Sequence, residues 1–496
     1  MRTHLIGVCG TGMGALAALL REAGDDVSGS DAAFDPPVGP MLATIGVRCE
    51  KGYDPAHLAP PPDHVVVGNA IRRDNPEAQA AEQLALPRSS MSQTLRDRFL
   101  VKRRPLVVAG THGKTTTSAM CAFVLSRAGY DPGWFIGGIP KNLPAAAAIG
   151  STARRLALVA GPTAGRAPFV VEGDEYDAVY WNKRPKFLDY IGVGDDDVAI
   201  LTSVEHDHID VYPTEEAYEA AFAVFLRAVP ANGLVVCDAH DPRARALAEE
   251  HARARVAFYA LEREDTGRAT PTWIAAPAAP FADGAQAFDV FAGGMSCGRF
   301  SLRVPGLHNV RNALGCLAAC AEGFGVPVEE VRAHLSAFEG VKRRQDLLGR
   351  PRGVAVYDDF AHHPTAVDET LLALRARHPN GTLWVVFEPR SATACRALHQ
   401  DAYARAFGAA DRVILAPLGR TNVPEGERLD VARLARELGP KCEALPGVEP
   451  IVQHLAANAK AGDTIAVLSN GAFGGIHSKL IEELGGDHDG GEAGPE

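Results

Sequence analysis

The stretch Val107-Val108-Ala109-Gly110-Thr111-His112-Gly113-Lys114-Thr115-Thr116-Thr117 decides how this chain is organised. An apolar strand leads directly into two glycines, a lysine and three threonines. In such a loop the backbone N–H groups can turn toward a phosphate, and the lysine can neutralise the outer phosphates. Thr115 is positioned to ligate magnesium. We therefore predict a nucleotide-phosphate site made by Gly110, Thr111, His112, Gly113, Lys114, Thr115 and Thr116.

The spacing of this loop is Gly-x-x-Gly-Lys-Thr, which is shorter than the usual P-loop because Val108 occupies the place of its first glycine. The alternative interpretation is an ordinary glycine turn beside a solvated lysine. A helix pattern follows, with Met120, Phe123, Val124 and Leu125 on one face. The strand before the loop and the helix after it favour the nucleotide site, with ATP or GTP as ligand.

Composition limits the possible architectures and partners. At 496 residues the chain is too long for one hydrophobic core, and about three domains are expected. A hydrophobic content of 46% with 22% charged residues is typical of a globular protein. The net charge of −11 argues against a nucleic-acid partner. It does not exclude an anionic substrate, because local cations and magnesium can outweigh a distant acidic surface.

The N-terminal sequence and the cysteines indicate the compartment. The chain passes from Met1 directly into a predicted strand, and it contains neither a signal-peptide pattern nor an apolar run of membrane-spanning length. The nine cysteines include no Cys-x-x-Cys pair. Cys316 and Cys320 lie at helical spacing in an apolar segment, which favours buried thiols over disulfides or zinc ligands. We predict a cytoplasmic protein with no membrane partner.

Residues 3–31 follow the order strand, glycine turn, helix, strand. Gly10, Gly12 and Ala15 satisfy the dinucleotide fingerprint, and Asp31 stands close to the position of a ribose-binding carboxylate. Because the same turn accepts any diphosphate, including that of a UDP-sugar, this pattern alone does not identify the ligand. A second apolar strand, residues 65–67, ends at Gly68-Asn69-Ala70, and ligands of parallel sheets collect at such carboxyl ends.

Acidic residues and histidines follow two further apolar strands. One strand leads into Glu172-Gly173-Asp174-Glu175-Tyr176-Asp177, and another leads into Glu205-His206-Asp207-His208-Ile209-Asp210. Such residues beside a phosphate loop can position magnesium, with Glu172 and His208 as the stronger candidates. The weaker candidates are Glu175, Glu205 and His206. A solvated acidic turn is the alternative, and a dinuclear metallohydrolase is disfavoured because Val211 stands where a further histidine is expected.

The rest of the chain completes a predicted α/β fold with three domains in series. Residues 262–300 are predicted to form an antiparallel ribbon or a loop insertion. Residues 305–312 open a helix on which Asn309 and Asn312 are neighbours. The positively charged residues Lys342, Arg343 and Arg344 are either exposed to solvent or bind the nucleotide phosphates. We predict a Rossmann-like N-terminal domain (1–104), a P-loop NTPase-like central domain (105–346), a Rossmann-like C-terminal domain (347–484) and a disordered tail (485–496).

Taken together, these motifs resemble the muramyl ligase family of bacterial cell-wall synthesis over nearly the whole chain. The matching stretches are 110–117, 172–177, 205–210, 308–312, Arg343-Arg344 and 358–365. The resemblance implies an ATP-dependent ligase that uses Mg²⁺. A nicotinamide-dependent oxidoreductase explains residues 3–31 but not Lys114 and Thr115. A P-loop kinase leaves the first and third units without a role, and a non-catalytic nucleotide-binding protein leaves the transfer site unexplained.

Within the family, the chain is most similar to members that join UDP-N-acetylmuramate to the tripeptide L-alanyl-γ-D-glutamyl-meso-diaminopimelate in peptidoglycan recycling. The stretches behind this preference are 29–31, 68–70, 182–187, 388–391 and 469–477. Members that add L-alanine are the alternative. Later ligases of the pathway carry a carbamoylated lysine shortly before the His208 position, and this chain has no lysine between Lys186 and His208. Ser203 stands where relatives commonly have asparagine, and Gly173 stands where many have alanine.

The resemblance also implies roles for individual residues. Lys114, His208 and Arg344 are the expected catalytic residues, with Lys114 on the outer phosphates and Arg344 on the γ-phosphate. Thr115, Glu172 and His208 are expected to hold Mg²⁺. Asn312, with His308, is expected to bind adenine, and Asp359 is expected to bind the ATP ribose. The expected ligands of UDP-N-acetylmuramate are Gly10, Gly12, Gly14, Ser30, Asp31 and Asn69. Arg390 is expected to bind a carboxylate of the incoming peptide, and domain closure to assemble the site.

Overall fold

The computed structural model describes residues 1–150, 166–281, 284–420 and 422–485, and three open, mainly parallel sheets follow one another along the chain. The predicted α/β class with three units in series is confirmed. The predicted boundaries at 104/105 and 346/347 stay predictions. All of the predicted tail except Gly485 lies outside the described residues. Among the described residues, no helix is long and apolar enough to cross a membrane.

The first sheet has five strands, all parallel to their neighbours. Its strands are β1 (Arg2–Ile6), β2 (Asp26–Asp31), β3 (Arg48–Lys51), β4 (His64–Val67) and β5 (Arg88–Ser90). Its helices are α1 (Thr11–Glu22), α2 (Val38–Thr44), α3 (Pro76–Gln83) and α4 (Met91–Leu95). The strand order β3-β2-β1-β4-β5 is that of a Rossmann-like domain. The glycine turn after β1 and the end of β4 therefore lie at the same edge of the sheet.

The central sheet has ten strands. The strands of this region, including the separate hairpin β10–β11, are β6 (Arg104–Ala109), β7 (Gly133–Phe135), β8 (Ala147–Ala148), β9 (Pro168–Glu172), β10 (Asp177–Val179), β11 (Asn182–Pro185), β12 (Val198–Leu201), β13 (Leu234–Asp238), β14 (Arg255–Leu261), β15 (Trp273–Ala278), β16 (Gln286–Ala292) and β17 (Met295–Leu302). Its helices are α5 (Lys114–Arg127), α6 (Glu215–Ala228), α7 (Pro242–His251), α8 (Leu307–Ala318) and α9 (Val328–Leu335).

Strand β6, which precedes the phosphate loop, lies between β12 and β9 and is parallel to both. Apart from Arg104 and Glu172 at strand ends, the three strands are apolar and almost fully buried, as expected for a parallel sheet covered on both faces. The acidic stretch after β9 and the histidine-rich stretch after β12 therefore flank the phosphate loop. The sequence predicted that these three stretches lie together. They do so because β9 and β12 are the two neighbours of β6 in the sheet.

Helix α5 differs from its predicted one-sided pattern, because every residue from Thr115 to Leu125 is buried. The helix lies between the central sheet and helices α8 and α9, so that no face is left for solvent. The region 262–300 contains the antiparallel strands β15, β16 and β17, which extend the central sheet. The antiparallel ribbon, one of the two predictions for this region, is confirmed, and Phe288, Val290, Phe300 and Leu302 of its strands are buried.

The third sheet has six strands, in the order β18-β19-β23-β20-β21-β22. These strands are β18 (Asp346–Gly349), β19 (Ala355–Asp359), β20 (Leu383–Phe387), β21 (Arg412–Leu415), β22 (Cys442–Ala444) and β23 (Thr464–Leu468). The helices are α10 (Pro364–Arg377), α11 (Gln400–Ala406), α12 (Val431–Leu438), α13 (Val448–Asn458) and α14 (Ile476–Glu483). Among the described strands of this sheet, only β18 runs antiparallel to its neighbour.

The turn that follows β11 anchors α6 to the central sheet through Phe187. This side chain is fully buried, and its ring centroid lies 5.4 Å from that of Phe222 and 5.0 Å from that of Phe225. We expect Phe187→Ala to lower the local stability by about 3–5 kcal/mol, because it removes buried area and leaves a cavity. Amide hydrogen exchange of α6 measures this loss. Val224→Ala, on the exposed side of α6 (43% exposed), is the matched control and should leave exchange unchanged.

Candidate active site

The phosphate loop joins β6 to α5 through two glycines in the left-handed half of backbone space, Gly110 (φ +132°) and Gly113 (φ +78°). A Cβ atom on Gly110 would lie 2.2 Å from Thr202 Oγ1, and one on Gly113 would lie 2.4 Å from Asn312 Oδ1. Neither position therefore accepts a side chain. The loop is packed between Thr202, directly after β12, and Asn312 in the second turn of α8. The strand, glycine turn and helix predicted around this stretch are all present.

Lys114, the first residue of α5, is folded back over the loop. Its Nζ atom donates to the Gly110 carbonyl at 2.5 Å, the Thr111 carbonyl at 3.2 Å and Glu175 Oε1 at 2.9 Å. The side chain is only 14% exposed. The ammonium group is thus fixed at the mouth of the loop, where positive charge favours phosphate oxygens.

Glu175 is the carboxylate that connects the parts of this site. Only 1% exposed, it contacts both Lys114 and His208, the latter at 3.0 Å from Glu175 Oε1. Burial alone would raise the pKa of Glu175, but the charge of Lys114 and the hydrogen bond from His208 outweigh burial and lower it. Its Oε2 atom is buried without a hydrogen-bond partner. The sequence favours Glu172 over Glu175 as a residue that positions magnesium. The place of Glu175 in the same acidic stretch, three residues later, is the sequence feature that indicates a role for it.

Two of the three predicted metal ligands touch each other. Thr115 Oγ1 donates to Glu172 Oε1 at 2.8 Å, and the Gly137 N–H donates to Glu172 Oε2 at 2.7 Å. Arg344 reaches Thr115 Oγ1 at 3.3 Å. The third predicted ligand, His208, joins this group through Glu175 and Lys114. Hydroxyl and carboxylate oxygens with one imidazole form a donor set that suits a hard divalent cation.

His208 is held in an unusual backbone conformation, with φ of +54°. Its Nε2 atom lies 3.0 Å from Glu175 Oε1 and 4.0 Å from Asp207 Oδ2. Burial lowers the pKa of His208, but the negative charge of Asp207 and the hydrogen bond to Glu175 prevail and raise it from 6.5 to about 9. At neutral pH the imidazole is therefore protonated in this arrangement.

The other predicted nucleotide residues gather beside the loop. Asn312 Nδ2 donates to Asn309 Oδ1 at 3.2 Å, and Asn309 in turn donates to the Pro305 carbonyl at 2.6 Å, so Asn309 serves the backbone of the helix start. His308 Nε2 lies 3.2 Å from Gln345 Nε2. Asp359 accepts the Gln345 N–H at 2.6 Å. These contacts bring α8, the segment that contains Gln345 and the third sheet together at one place.

Glu205 forms a bridge between the phosphate loop and the third domain. It accepts a hydrogen bond from His112 Nε2 at 2.7 Å and another from Thr365 Oγ1 at 2.8 Å, and His363 Nδ1 lies 3.6 Å away. Burial alone would raise the pKa of Glu205, but the hydrogen bond from His112 outweighs burial and lowers the pKa to about 2. Sequence reasoning ranked Glu205 low because nothing in the chain order indicated that His363 would face it.

In the first domain the structure separates the predicted substrate residues into two groups. Gly10 and Asn69 are exposed at the carboxyl edge of the sheet, Gly12 is partly buried, and Asp31 accepts the Cys9 N–H at 2.8 Å. Gly14 is buried against α2, since a Cβ atom there would lie 2.5 Å from Val38 Cγ1. The glycine at this position allows close packing of α1 against α2.

Ser30 belongs to the buried group. Its side chain has no exposed surface, and its hydroxyl donates to Glu77, which also binds His57 and accepts the Asp54 N–H at 3.1 Å. The Ser30 hydroxyl thus serves a buried polar network rather than the cleft, and any substrate contact by Ser30 stays a prediction. Glu77 was missed, since a glutamate in an alanine-rich helix carries no sequence signal of burial.

Arg390 follows β20 at the carboxyl edge of the third sheet, and its side chain is 43% exposed. Its Nη1 atom lies 3.4 Å from Glu388 Oε1. The side chain lies over Gly471, where an added Cβ atom would be 2.2 Å from Arg390 Cδ. The glycine in the stretch 469–477 therefore leaves room for the arginine, and a partly exposed guanidinium faces this edge of the sheet.

We expect the His208 imidazole to titrate near pH 9 in the nucleotide-free protein. A raised folded-state pKa means that the ionic contacts of His208 stabilise the fold fully below pH 6.5 and are lost as the pH rises through about 9. A pH titration of the imidazole C–H resonances by NMR measures this value, and His208→Gln identifies the signal. A midpoint near 6.5 would contradict the arrangement.

Three family models match successive parts of the chain. The Mur ligase family catalytic domain matches residues 2–101, the Mur ligase middle domain matches residues 108–320, and the Mur ligase glutamate ligase domain matches residues 343–471. The match to the middle domain includes the phosphate loop, Glu172 and His208, and the match to the third includes Asp359 and Arg390.

Individual relatives and solved structures agree with these matches. The UDP-N-acetylmuramate–L-alanyl-gamma-D-glutamyl-meso-2,6-diaminoheptandioate ligase of Escherichia coli (strain K12) is 35% identical over 98% of this chain and 98% of its own length. The UDP-N-acetylmuramate–L-alanine ligase of Roseiflexus sp. (strain RS-1) is 37% identical over 83% of this chain and 84% of its own. The crystal structure of a murein peptide ligase from Psychrobacter arcticus is 34% identical, with a TM-score of 0.71, over 98% of this chain and 99% of that one. The chain belongs to the Mur ligase family of ATP-dependent ligases that form amide bonds.

Proposed function

We propose that this protein joins the lactyl carboxylate of UDP-N-acetylmuramate to the amino group of the tripeptide L-alanyl-γ-D-glutamyl-meso-diaminopimelate, at the expense of ATP, in peptidoglycan recycling. The observation that carries this proposal is the 35% identity to the Escherichia coli ligase of that name over 98% of both chains. The cytoplasm, where ATP and nucleotide sugars are available, is the proposed location.

The chemistry requires an activated carboxylate. A carboxylate oxygen attacks the γ-phosphorus of ATP, the bond to ADP breaks, and an acyl phosphate forms. The amine then attacks the acyl carbon, loses a proton, and displaces inorganic phosphate. No protein nucleophile is needed, so the work of the protein is positioning and charge neutralisation.

We assign the nucleotide contacts to residues that converge on the phosphate loop. The loop N–H groups and Lys114 bind the outer phosphates, and Arg344, 3.3 Å from Thr115, binds the γ-phosphate. Asn312 and His308 bind adenine, and Asp359 binds the ribose. The support for these assignments is that central and C-terminal residues already meet here, through the contact between Gln345 and Asp359 at 2.6 Å.

The residues around Thr115 fit a magnesium ion. Thr115, Glu172 and His208 would hold it, and when bound it would neutralise charge on the transferred phosphoryl group. The buried, unpartnered Oε2 atom of Glu175 supports this fit, because a carboxylate oxygen without a hydrogen-bond donor suits a nearby cation. His208 must lose its proton to become a ligand, so this chain should bind Mg²⁺ more tightly as the pH rises toward 9.

We assign the binding sites of the other two substrates to the N-terminal and C-terminal domains. We assign the UDP-sugar to the edge of the first sheet that carries Gly10, Gly12, Asp31 and Asn69. The partly exposed Arg390 of the third domain binds a carboxylate of the incoming peptide. Addition of L-alanine is the second candidate function, since a relative of that name is 37% identical over 83% of this chain.

The decisive experiment offers the purified protein Mg²⁺, ATP and UDP-N-acetylmuramate, with the tripeptide and L-alanine in separate reactions. Phosphate release and the mass of the amide product are measured. We expect turnover with the tripeptide and at least tenfold lower kcat/KM with L-alanine. The reverse preference would establish the second candidate, and the absence of an amide product with either amine would refute the proposal.

Lys114→Ala should lower kcat by about a hundredfold or more, because it removes the charge that stabilises the transferring phosphoryl group. Steady-state phosphate release with all three substrates measures the effect. Lys479→Ala is the matched control, since Lys479 is 45% exposed and pairs with Glu449 in the third domain. A kcat of Lys114→Ala within threefold of the unmodified protein would remove Lys114 from its assigned role.

Arg390→Ala should raise the KM for the tripeptide about tenfold or more and leave the KM for UDP-N-acetylmuramate unchanged, because a charge-assisted hydrogen bond to a carboxylate is lost. Varying each substrate separately distinguishes the two effects. Arg412→Ala is the matched control, an exposed arginine on β21 that donates to the Pro440 carbonyl at 3.3 Å. Equal effects on both KM values would argue against a peptide contact.

A further inference from the structure

Three cysteines meet inside the central domain. Cys121 lies on α5, Cys316 lies on α8, and Cys320 lies in the π-helical turn Ala319–Gly323 that continues α8. All three are fully buried, and their sulfur atoms lie within 4.8 Å of one another. Cys316 Sγ and Cys320 Sγ are 3.9 Å apart. The sequence showed only the Cys316–Cys320 pair, and tertiary packing adds the third thiol.

The spacing of the sulfur atoms suits a single metal ion. With metal–sulfur bonds of about 2.3 Å, three sulfurs around one ion lie about 4 Å apart. The 3.9 Å separation of Cys316 and Cys320 matches this value, and the 4.8 Å limit for the group requires only small adjustments. A π-helical turn, which places Cys320 in the cluster, is also a feature often found at functional sites.

We propose that Cys121, Cys316 and Cys320 form a binding site for one soft metal ion of the Cu(I) class, between α5 and α8. Thiolates are soft ligands that select Cu(I) over hard cations. Zinc prefers four ligands or an open position for water. In the described part of the chain, no histidine or carboxylate belongs to this cluster, and its full burial leaves no open position.

The protonation of the thiols is consistent with such a site. Hydrogen bonds from Cys121 and Cys316 lower the pKa of Cys320, whereas burial raises the pKa of Cys121 and of Cys316. Each thiol that ligates the ion releases its proton to solvent. No electron is transferred, so no oxidant is required.

The position of the cluster connects it to the nucleotide site. Gly113 and Asn312 are in contact where α5 and α8 begin. Cys121 and Cys320 each lie eight residues further along, a distance of about 12 Å at 1.5 Å per helical residue. A bound ion would therefore tie together α5, which begins at Lys114, and α8, which carries Asn312 in its second turn. This consequence rests on the proposed ATP site, but the metal site itself does not.

Anaerobic titration of the reduced full chain with Cu(I), in competition with a chromophoric Cu(I) chelator, tests the site. We expect one ion per chain and a thiolate-to-metal charge-transfer band in the ultraviolet. Entry to a fully buried cluster requires local opening, so each addition is followed to constant absorbance. Cys121→Ser and Cys316→Ala should each lower the affinity at least a hundredfold. Cys237→Ala, which removes another fully buried thiol, should leave the affinity unchanged.

The outcome distinguishes a built site from incidental thiol binding. Absence of a stoichiometric site, or equal affinity in Cys121→Ser and Cys237→Ala, would overturn the proposal. Circular dichroism of each variant establishes that it is folded. As a second measurement, one equivalent of Cu(I) should slow amide exchange at least tenfold in both α5 and α8 of the unmodified protein, and not in Cys121→Ser. Unchanged exchange in the loaded protein would refute a tie between the helices. Neither readout depends on ligase activity.

Discussion

The ion pair between Lys114 and the buried carboxylate of Glu175 is the interaction on which the rest of the site depends. Glu175 is almost inaccessible to solvent, and its negative charge is balanced by Lys114 and by His208. Removing one partner of such a buried pair costs about 3–5 kcal/mol, because the remaining charge is left uncompensated. The pair therefore holds the phosphate loop, the acidic turn after β9 and the histidine turn after β12 in one fixed arrangement.

A second set of polar contacts ties this arrangement to the C-terminal domain. Glu205 accepts hydrogen bonds from His112 in the phosphate loop and from Thr365 at the start of α10. Arg311 on α8 pairs with Glu369 on α10 at 3.4 Å. In the described part of the chain, the hydrophobic clusters of the central domain share no residue with those of the C-terminal domain. Interfaces of this kind favour relative domain motion, which suits a site that must admit and release three substrates.

The apolar interior explains why helix α5 can serve both as a structural element and as the origin of Lys114. The helix is buried on all sides between the central sheet, α8 and α9. Its first turn is therefore positioned by the entire core of the domain. The same packing brings Cys121 against Cys316 and Cys320. A metal ion bound by these thiols would therefore be attached to a helix that is tightly packed and has little freedom to move.

The sequence by itself determined the α/β class, the three units in series and the phosphate loop, because strand–glycine–helix patterns are local. It also indicated Thr115 and Glu172 as partners, since both follow buried strands of one sheet. Only the tertiary structure decided that Glu175 balances Lys114, that Ser30 faces Glu77, and that Glu205 meets His112 and Thr365. These contacts join residues distant along the chain, and charge balance in a buried place depends on every group around it. Hydropathy and spacing record which residues are buried or adjacent in an element and which strand ends lie together, but they do not determine which individual polar groups there make contact.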